Sequence, residues 1–266
     1  MSYTFNIPYR ENPKLKQVME KVKQDKKLQT YWRCSNVMAM ERLGYTDHGP
    51  THVKIVANLS LRLLRILIEK QVKPSIVKDY DMKNEDAEVV VVLGSIFHDL
   101  GMVVIRNHHE MYSGLIALEF LERCLTGTYG EEERAIITSE VLHAIVSHEI
   151  TAKRTNKPLT VEAGIVGIAD ALDMEAGRAR IPFKAGKIDI HAVSALSIEK
   201  VEIIENEEKE KKPITIKITM SNSAGVFQID ELLKPRIETS GLQDYFHVVA
   251  EITGEKEQKI IEKFEI

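Results

Sequence analysis

The chain has 266 residues, 44% of them hydrophobic, with 36 basic and 40 acidic side chains giving a formal net charge of -4. That length supports one large domain, or a large and a small one, with ample apolar residues for a core. The slightly acidic balance supplies no overall basic field for nucleic acid. Residues 1–14 carry no apolar targeting region, and no stretch approaches the roughly 18 uncharged apolar residues of a membrane span, so the expectation is a soluble cytoplasmic protein. Cys34 and Cys124 are too few and too far apart for a disulfide framework or a thiolate zinc site, and both read as buried thiols.

Helical periodicity dominates to about residue 176. Pro13 to Lys26 reads as an amphipathic helix, and Leu28 to Leu43 as a second, stopped by Gly44. Gly49-Pro50 opens a third helix, with Pro in the first turn and an apolar stripe of Ile55, Val56, Leu59, Leu63 and Ile66. Asn84 is the expected N-cap of a helix running through Asp99 and ended by Gly101; its Val89–Val92 run has strand propensity, but length and capping favour a helix. Further helices are expected at about 108–125, 131–149 and 160–174, the last capped by Thr160.

After Arg180-Ile181-Pro182 the texture changes. Ile214, Ile216, Ile218 and Met220 alternate with polar residues, and Tyr245 to Ile252 reads as another strand. Ile229 to Ile237 looks helical, though Pro235 limits it, and Glu205 to Lys212 reads as a solvated hairpin turn. The expected architecture is mainly α: an all-α domain over 1–182, its core at about 45–175, followed by a small α+β domain over 183–266.

Seven of the nine histidines fall between His48 and His148, and His98-Asp99 closes an almost wholly apolar run. Burying such a pair costs several kcal/mol, roughly, unless something binds it, and a metal ion is the obvious candidate. His52 lies in the first turn of its helix and faces the core stripe. His109 shares a face with Tyr112, Ser113, Ile116 and Phe120, whereas His108 points about 100° away. His148 extends the stripe of Ile137, Val141, Ala144 and Ile145, while His143 lies off it. Asp170 is a carboxylate within an apolar helix, open to metal binding or to pairing with Arg178 or Arg180. Five helices thus each aim an imidazole or carboxylate inward, a donor set that suits Zn, Fe, Mn, Ni or Co equally well.

His52…His98-Asp99…Asp170, in the contexts His52-Val53-Lys54-Ile55-Val56-Ala57, Ile96-Phe97-His98-Asp99-Leu100-Gly101 and Ile168-Ala169-Asp170-Ala171-Leu172-Asp173, resembles the HD-domain metal-dependent phosphohydrolase superfamily over roughly residues 45–175. The resemblance implies that His52, His98, Asp99 and Asp170 hold one divalent ion. It also implies that His109 and His148 hold a second, with Asp99 bridging; the ions could be Mn, Fe, Ni, Co, Zn or Mg. Asp99 and His98 are the expected catalytic pair of the centre. No Gly-Tyr-Pro motif follows His148, and the residues after Asp99 are apolar rather than acidic, so neither the cyclic-di-GMP phosphodiesterase branch nor the stringent-response hydrolases match well. The triphosphohydrolase branch places a further histidine soon after the motif, whereas the next one here is His108. Uncharacterised prokaryotic HD proteins with a small C-terminal α+β domain are most similar.

The chemistry implied is attack of metal-activated hydroxide on a phosphate ester or anhydride of a nucleotide or similar small phosphorylated compound. Arg106, Arg178 and Arg180 are candidate phosphate contacts, and His48, His108 and His143 candidate proton donors or hydrogen-bond supports. His191 and His247 read as structural. Two other readings stand beside this one: a metal- or nucleotide-binding regulator with a non-catalytic centre, and a nuclease or phosphodiesterase, which the acidic balance weakens. The expected partner is a small phosphorylated substrate, with no membrane or nucleic acid; the small domain could cover the site, bind an effector or build a homo-oligomer.

Overall fold

A computed structural model describes residues 5–150, 157–176, 194–207, 212–254 and 263–265. Its helices are α1 (Pro13–Gln24), α2 (Lys26–Asn36), α3 (Pro50–Glu69), α4 (Ser75–Tyr80), α5 (Asn84–Phe97), α6 (His109–Leu125), α7 (Glu131–Ser147), α8 (Val161–Leu172) and, further on, α9 (Lys234–Thr239). No described helix is long and apolar enough to cross a membrane. The architecture is the expected one, a helical bundle followed by a small α+β unit, and the expected boundary near residue 182 lies outside the described residues.

Helix α5 is the axis of the bundle. Every residue from Val89 to Phe97 is buried, and α1, α3, α7 and α8 pack around it. Tertiary burial overrides the β preference of Val89–Val92, because four flanking helices supply the packing that a sheet would otherwise give. Lys83, rather than Asn84, occupies the N-cap position, with Asp86 reaching back to its backbone N–H at 2.9 Å. At the other end α2 accepts the helix: Trp32 donates from Nε1 to the Ile96 carbonyl at 3.1 Å. His98 and Asp99 follow immediately and sit wholly inside the bundle.

Gly101 does not terminate α5. It lies in a 3₁₀ turn, Leu100–Val103, that packs against the start of α6. A Cβ at Gly101 would stand 2.0 Å from the His109 carbonyl oxygen, so only glycine lets the turn after Asp99 touch the helix that carries His109. The Gly101 N–H also donates to Ser113 Oγ at 2.8 Å.

Other boundaries differ locally. The second helix converts at Val37–Arg42 to a π-helical turn, and Gly44 follows at φ +65°. Ile55 is exposed, so the inner face of α3 runs through His52, Val56, Ser60 and Leu63. Helix α4, absent from the periodicity reading, is one and a half turns long. Cys124 is buried, its thiol pushed up to about 12 by burial, but Cys34 is exposed, contrary to expectation, because its face of α2 turns outward.

The C-terminal sheet has the order β1-β2-β3-β4, with β1 (Ile198–Glu205), β2 (Ile214–Met220), β3 (Phe246–Ile252) and β4 (Lys263–Glu265). The β1–β2 and β3–β4 pairs are antiparallel and β2–β3 is parallel. A parallel pair needs a crossover, supplied here by residues 221–245 with the short helical turns Val226–Gln228 and Ile229–Leu233 and then α9. Ile214, Ile216, Ile218 and Met220 on β2 and Phe246, Val248, Ala250 and Ile252 on β3 bury one face, and their cluster is continuous with the helical core. Helix α9 packs on α8 and so reaches the region where Asp170 lies.

One carboxyl in the bundle is under strain of charge. Glu140 on α7 is buried, and its Oε2 has no hydrogen-bond partner among the described residues. Burial, then the charges of Glu162 and Asp79, push its pKa up from 4.5 to about 7. Because the folded-state value is raised, the cost of ionising it grows as pH rises from 4.5 through about 7. Glu140→Gln is therefore expected to raise the melting temperature at pH 8, by an amount equivalent to about 1–3 kcal/mol, and to leave it little changed at pH 5. Equal effects at both pH values in thermal melts would contradict this.

Candidate metal centre

Five elements deliver six side chains to one buried point. His52 comes from the first turn of α3, His98 and Asp99 from just beyond α5, His109 from the start of α6, His148 from just beyond α7, and Asp170 from the last turn of α8. All but Asp170 are at least 96% buried. The residues the sequence placed together are thus brought together in space.

Their atoms form two adjoining sets. In the first, His52 Nε2 lies 3.1 Å from His98 Nε2, 3.3 Å from Asp99 Oδ2 and 3.2 Å from Asp170 Oδ1. His98 Nε2 lies 3.3 Å from Asp99 Oδ2 and 3.6 Å from Asp170 Oδ1. In the second, Asp99 Oδ1 lies 3.1 Å from His109 Nε2 and 4.0 Å from His148 Nε2, and the two Nε2 atoms are 3.3 Å apart. The two oxygens of Asp99 therefore face different sets.

The donor set fits a divalent ion on two grounds. Metal–ligand bonds of about 2.0–2.2 Å separate neighbouring ligand atoms by about 2.8–3.6 Å in octahedral or tetrahedral geometry, the spacing found in the first set. The outer ring nitrogens supply the second. His98 Nδ1 donates to the Ser95 carbonyl at 2.7 Å, His148 Nδ1 to the Ile145 carbonyl at 2.6 Å, and His52 Nδ1 to Asp173 Oδ2 at 2.6 Å. Carbonyl and carboxylate oxygens only accept, so these rings carry their proton on Nδ1 and, when neutral, turn a bare Nε2 lone pair inward. Lone pairs 3.1 Å apart repel unless a cation stands among them. At His109, Nδ1 lies between the carbonyl and the guanidinium of Arg106, at 3.0 and 2.8 Å.

The electrostatics agree. Burial works against the His98 imidazolium, yet Asp99 and Asp170 outweigh it and raise its pKa to about 9. Burial, reinforced by His98 and His109, lowers His148 to about 3. Burial alone would raise both aspartates, but the charges of His98 and His48, with close contacts to the His109 and His52 rings, hold Asp99 well below the usual carboxylate range. Close contacts to the His52 and His98 rings, with the charges of His98 and Arg236, do the same for Asp170.

The expected supporting residues divide. The half-buried His48 stands beside the centre, its ring 5.8 Å from that of His52. Arg106 pairs with Glu149 and contacts His109. His108 is 65% exposed and turned outward at φ +63°. His143 is half-buried, and its Nε2 accepts from the Leu159 N–H at 2.9 Å, which commits that nitrogen to the chain after α7 rather than to the centre. Arg178, Arg180 and His191 lie outside the described residues; His247 is in β3, opposite Thr215.

Three residues were not singled out from the sequence. Asp173 orients His52, and its position one turn after Asp170 was a usable signal. Glu149 lies beside the second set because α7 ends at Ser147, so helical spacing no longer governs where it points. Arg236 of α9 donates to Asp170 Oδ2 at 3.3 Å, to the His148 carbonyl at 3.2 Å and to the Leu232 carbonyl at 3.0 Å. It brings a guanidinium to Asp170 from 66 residues away.

The family model for the HD domain matches residues 51–175, which contain all six converging side chains. The chain is also 44% identical over 251 residues to "Uncharacterized protein MJ1020" of Methanocaldococcus jannaschii, a match covering 94% of this chain and 93% of that one. The chain belongs to the HD domain family. Arg236 lies beyond the matched span, so this HD domain draws a contact to its centre from the C-terminal unit.

Arg236→Met leaves Asp170 buried without its guanidinium. The metal-free variant is expected to lose about 3 kcal/mol of stability, and a divalent ion to restore part of it, so that Mn²⁺ raises the melting temperature more in the variant than in the wild type. Equal rises, measured by calorimetry, would contradict the coupling.

Proposed function

We propose that this HD protein is a metal-dependent phosphohydrolase acting on a phosphate ester or anhydride of a nucleotide or similar small phosphorylated compound. The observation that carries the reading is the pair of adjoining ligand sets that share Asp99, one on each oxygen. When bound, a divalent ion supplies Lewis acidity, acidifying water and neutralising charge on phosphoryl oxygens.

The chain's own residues do the rest. Asp99 fixes the spacing of the two sets, and Asp173, Ser95 and Ile145 fix ring orientation and tautomer at His52, His98 and His148. Phe97, Leu100 and Met102 are buried around the turn that bears Asp99 and keep bulk water from that side. His48 is the one of the three candidate proton donors that stands beside the centre, and we assign it protonation of the leaving group or a hydrogen bond to a phosphate oxygen. Arg106, 34% exposed, carries the positive charge on the side of the second set.

The test is a panel of phosphomonoesters, phosphodiesters and nucleoside triphosphates, assayed with Mn, Ni, Co, Fe and Zn in turn. At least one substrate class is expected to be hydrolysed, and Asp99→Asn, which keeps the side-chain shape, is expected to abolish turnover. A metal-replete protein inert across the panel would overturn the enzyme reading in favour of a binding protein with a non-catalytic centre.

A further inference from the structure

The second ligand set has three members if only the family's pattern is carried over: one oxygen of Asp99, His109 and His148. A fourth atom stands beside them. Glu149 Oε2 lies 3.5 Å from His109 Nε2, and ligand atoms of His109, His148 and Glu149 all lie within 4.8 Å of one another. The Glu149 side chain is 13% exposed and is clamped in place: Arg106 donates to both of its oxygens, at 3.1 and 3.0 Å. The clamp leaves a further lone pair on Oε2, because a carboxylate oxygen accepts more than one contact.

Resting on the metal-centre reading above, we infer that Glu149 is a ligand of the second ion, so that each ion is held by two imidazoles and two carboxylates. Composition supports this. The first set draws on Asp99 and Asp170, and Glu149 gives the second set the same count. Charge supports it too. Counted over the ligand atoms alone, two dications against Asp99 and Asp170 leave an excess of two positive charges. A third carboxylate among the ligands removes half of that excess, and a bound phosphate can neutralise the remainder.

The plainer alternative makes Glu149 only the counter-ion of Arg106. A guanidinium partner can satisfy its charge in many rotamers, whereas the observed one carries Oε2 to the imidazole edge that faces Asp99. The two accounts also differ in what Arg106 does: a clamp can be removed without removing a ligand, so the second ion should survive loss of Arg106 but not loss of Glu149.

Manganese binding to the full chain separates these accounts, read by titration and by elemental analysis after desalting. Wild-type protein is expected to bind two ions. Glu149→Gln should keep the first at wild-type affinity and weaken the second by about 10- to 100-fold, the loss typical even of groups one step removed from a metal. Arg106→Gln should keep both. Two ions at unchanged affinity in Glu149→Gln would overturn the assignment. So would selective loss of the second ion in Arg106→Gln, which would mean that the salt bridge, not the carboxylate, matters. A wild-type protein that binds no ion would instead overturn the metal centre itself.

Discussion

Imidazole lone pairs and carboxylate oxygens, buried and crowded around Asp99, set the terms for the rest of the structure. His52 and His98 turn Nε2 atoms toward each other at 3.1 Å, and His109 and His148 do so at 3.3 Å. Where both Nε2 atoms are bare, as the outer hydrogen bonds make them in the neutral rings of His52 and His98, the arrangement is repulsive in itself, and a cation makes it tolerable. The bundle spends much of its order on maintaining it: the ring nitrogens on the far side are held by Asp173, Ser95 and Ile145, and the aspartates by imidazoles and Arg236.

The fold can be understood as the means of holding that arrangement. Helix α5 is buried throughout its second half, and its last turn is anchored by Trp32, so His98 and Asp99 leave it at a fixed point. Gly101 then lets the chain turn against α6, which sets Asp99 Oδ1 3.1 Å from His109. Helices α3, α7 and α8 bring the remaining groups by packing on α5. The C-terminal unit is drawn in through α9, since Arg236 joins Asp170 to the end of α7. Changes in the sheet that shift α9 therefore reach the centre through one buried side chain.

Much of this was legible in the sequence, for identifiable reasons. The inward positions of His52, His109 and His148 followed from the 3.6-residue period, because each lies within or directly beyond a long amphipathic helix. The Val89–Val92 run was read correctly as helix on its length, although the capping cues at Asn84 and Gly101 fell at other positions. Where regular structure ends, the period loses its force, and this is why Glu149 went unremarked and why Gly101 was taken for a helix terminator. Arg178 and Arg180, the nearby candidates to pair with Asp170, lie outside the described residues, and Arg236, the partner that is described, could not be read from the sequence because a contact across 66 residues leaves no local trace. Ile55 and Cys34 show the same limit in the other direction, since an apolar side chain on a helix says nothing of whether a neighbour covers it.

The proposed function places Asp99 between two adjoining cation sites. Anomalous scattering from crystals grown with Mn²⁺ tests it directly. Two peaks about 3.5–4 Å apart are expected, one among His52, His98, Asp99 and Asp170 and the other among Asp99, His109, His148 and Glu149. A fully ordered centre with no peak between these side chains would contradict it.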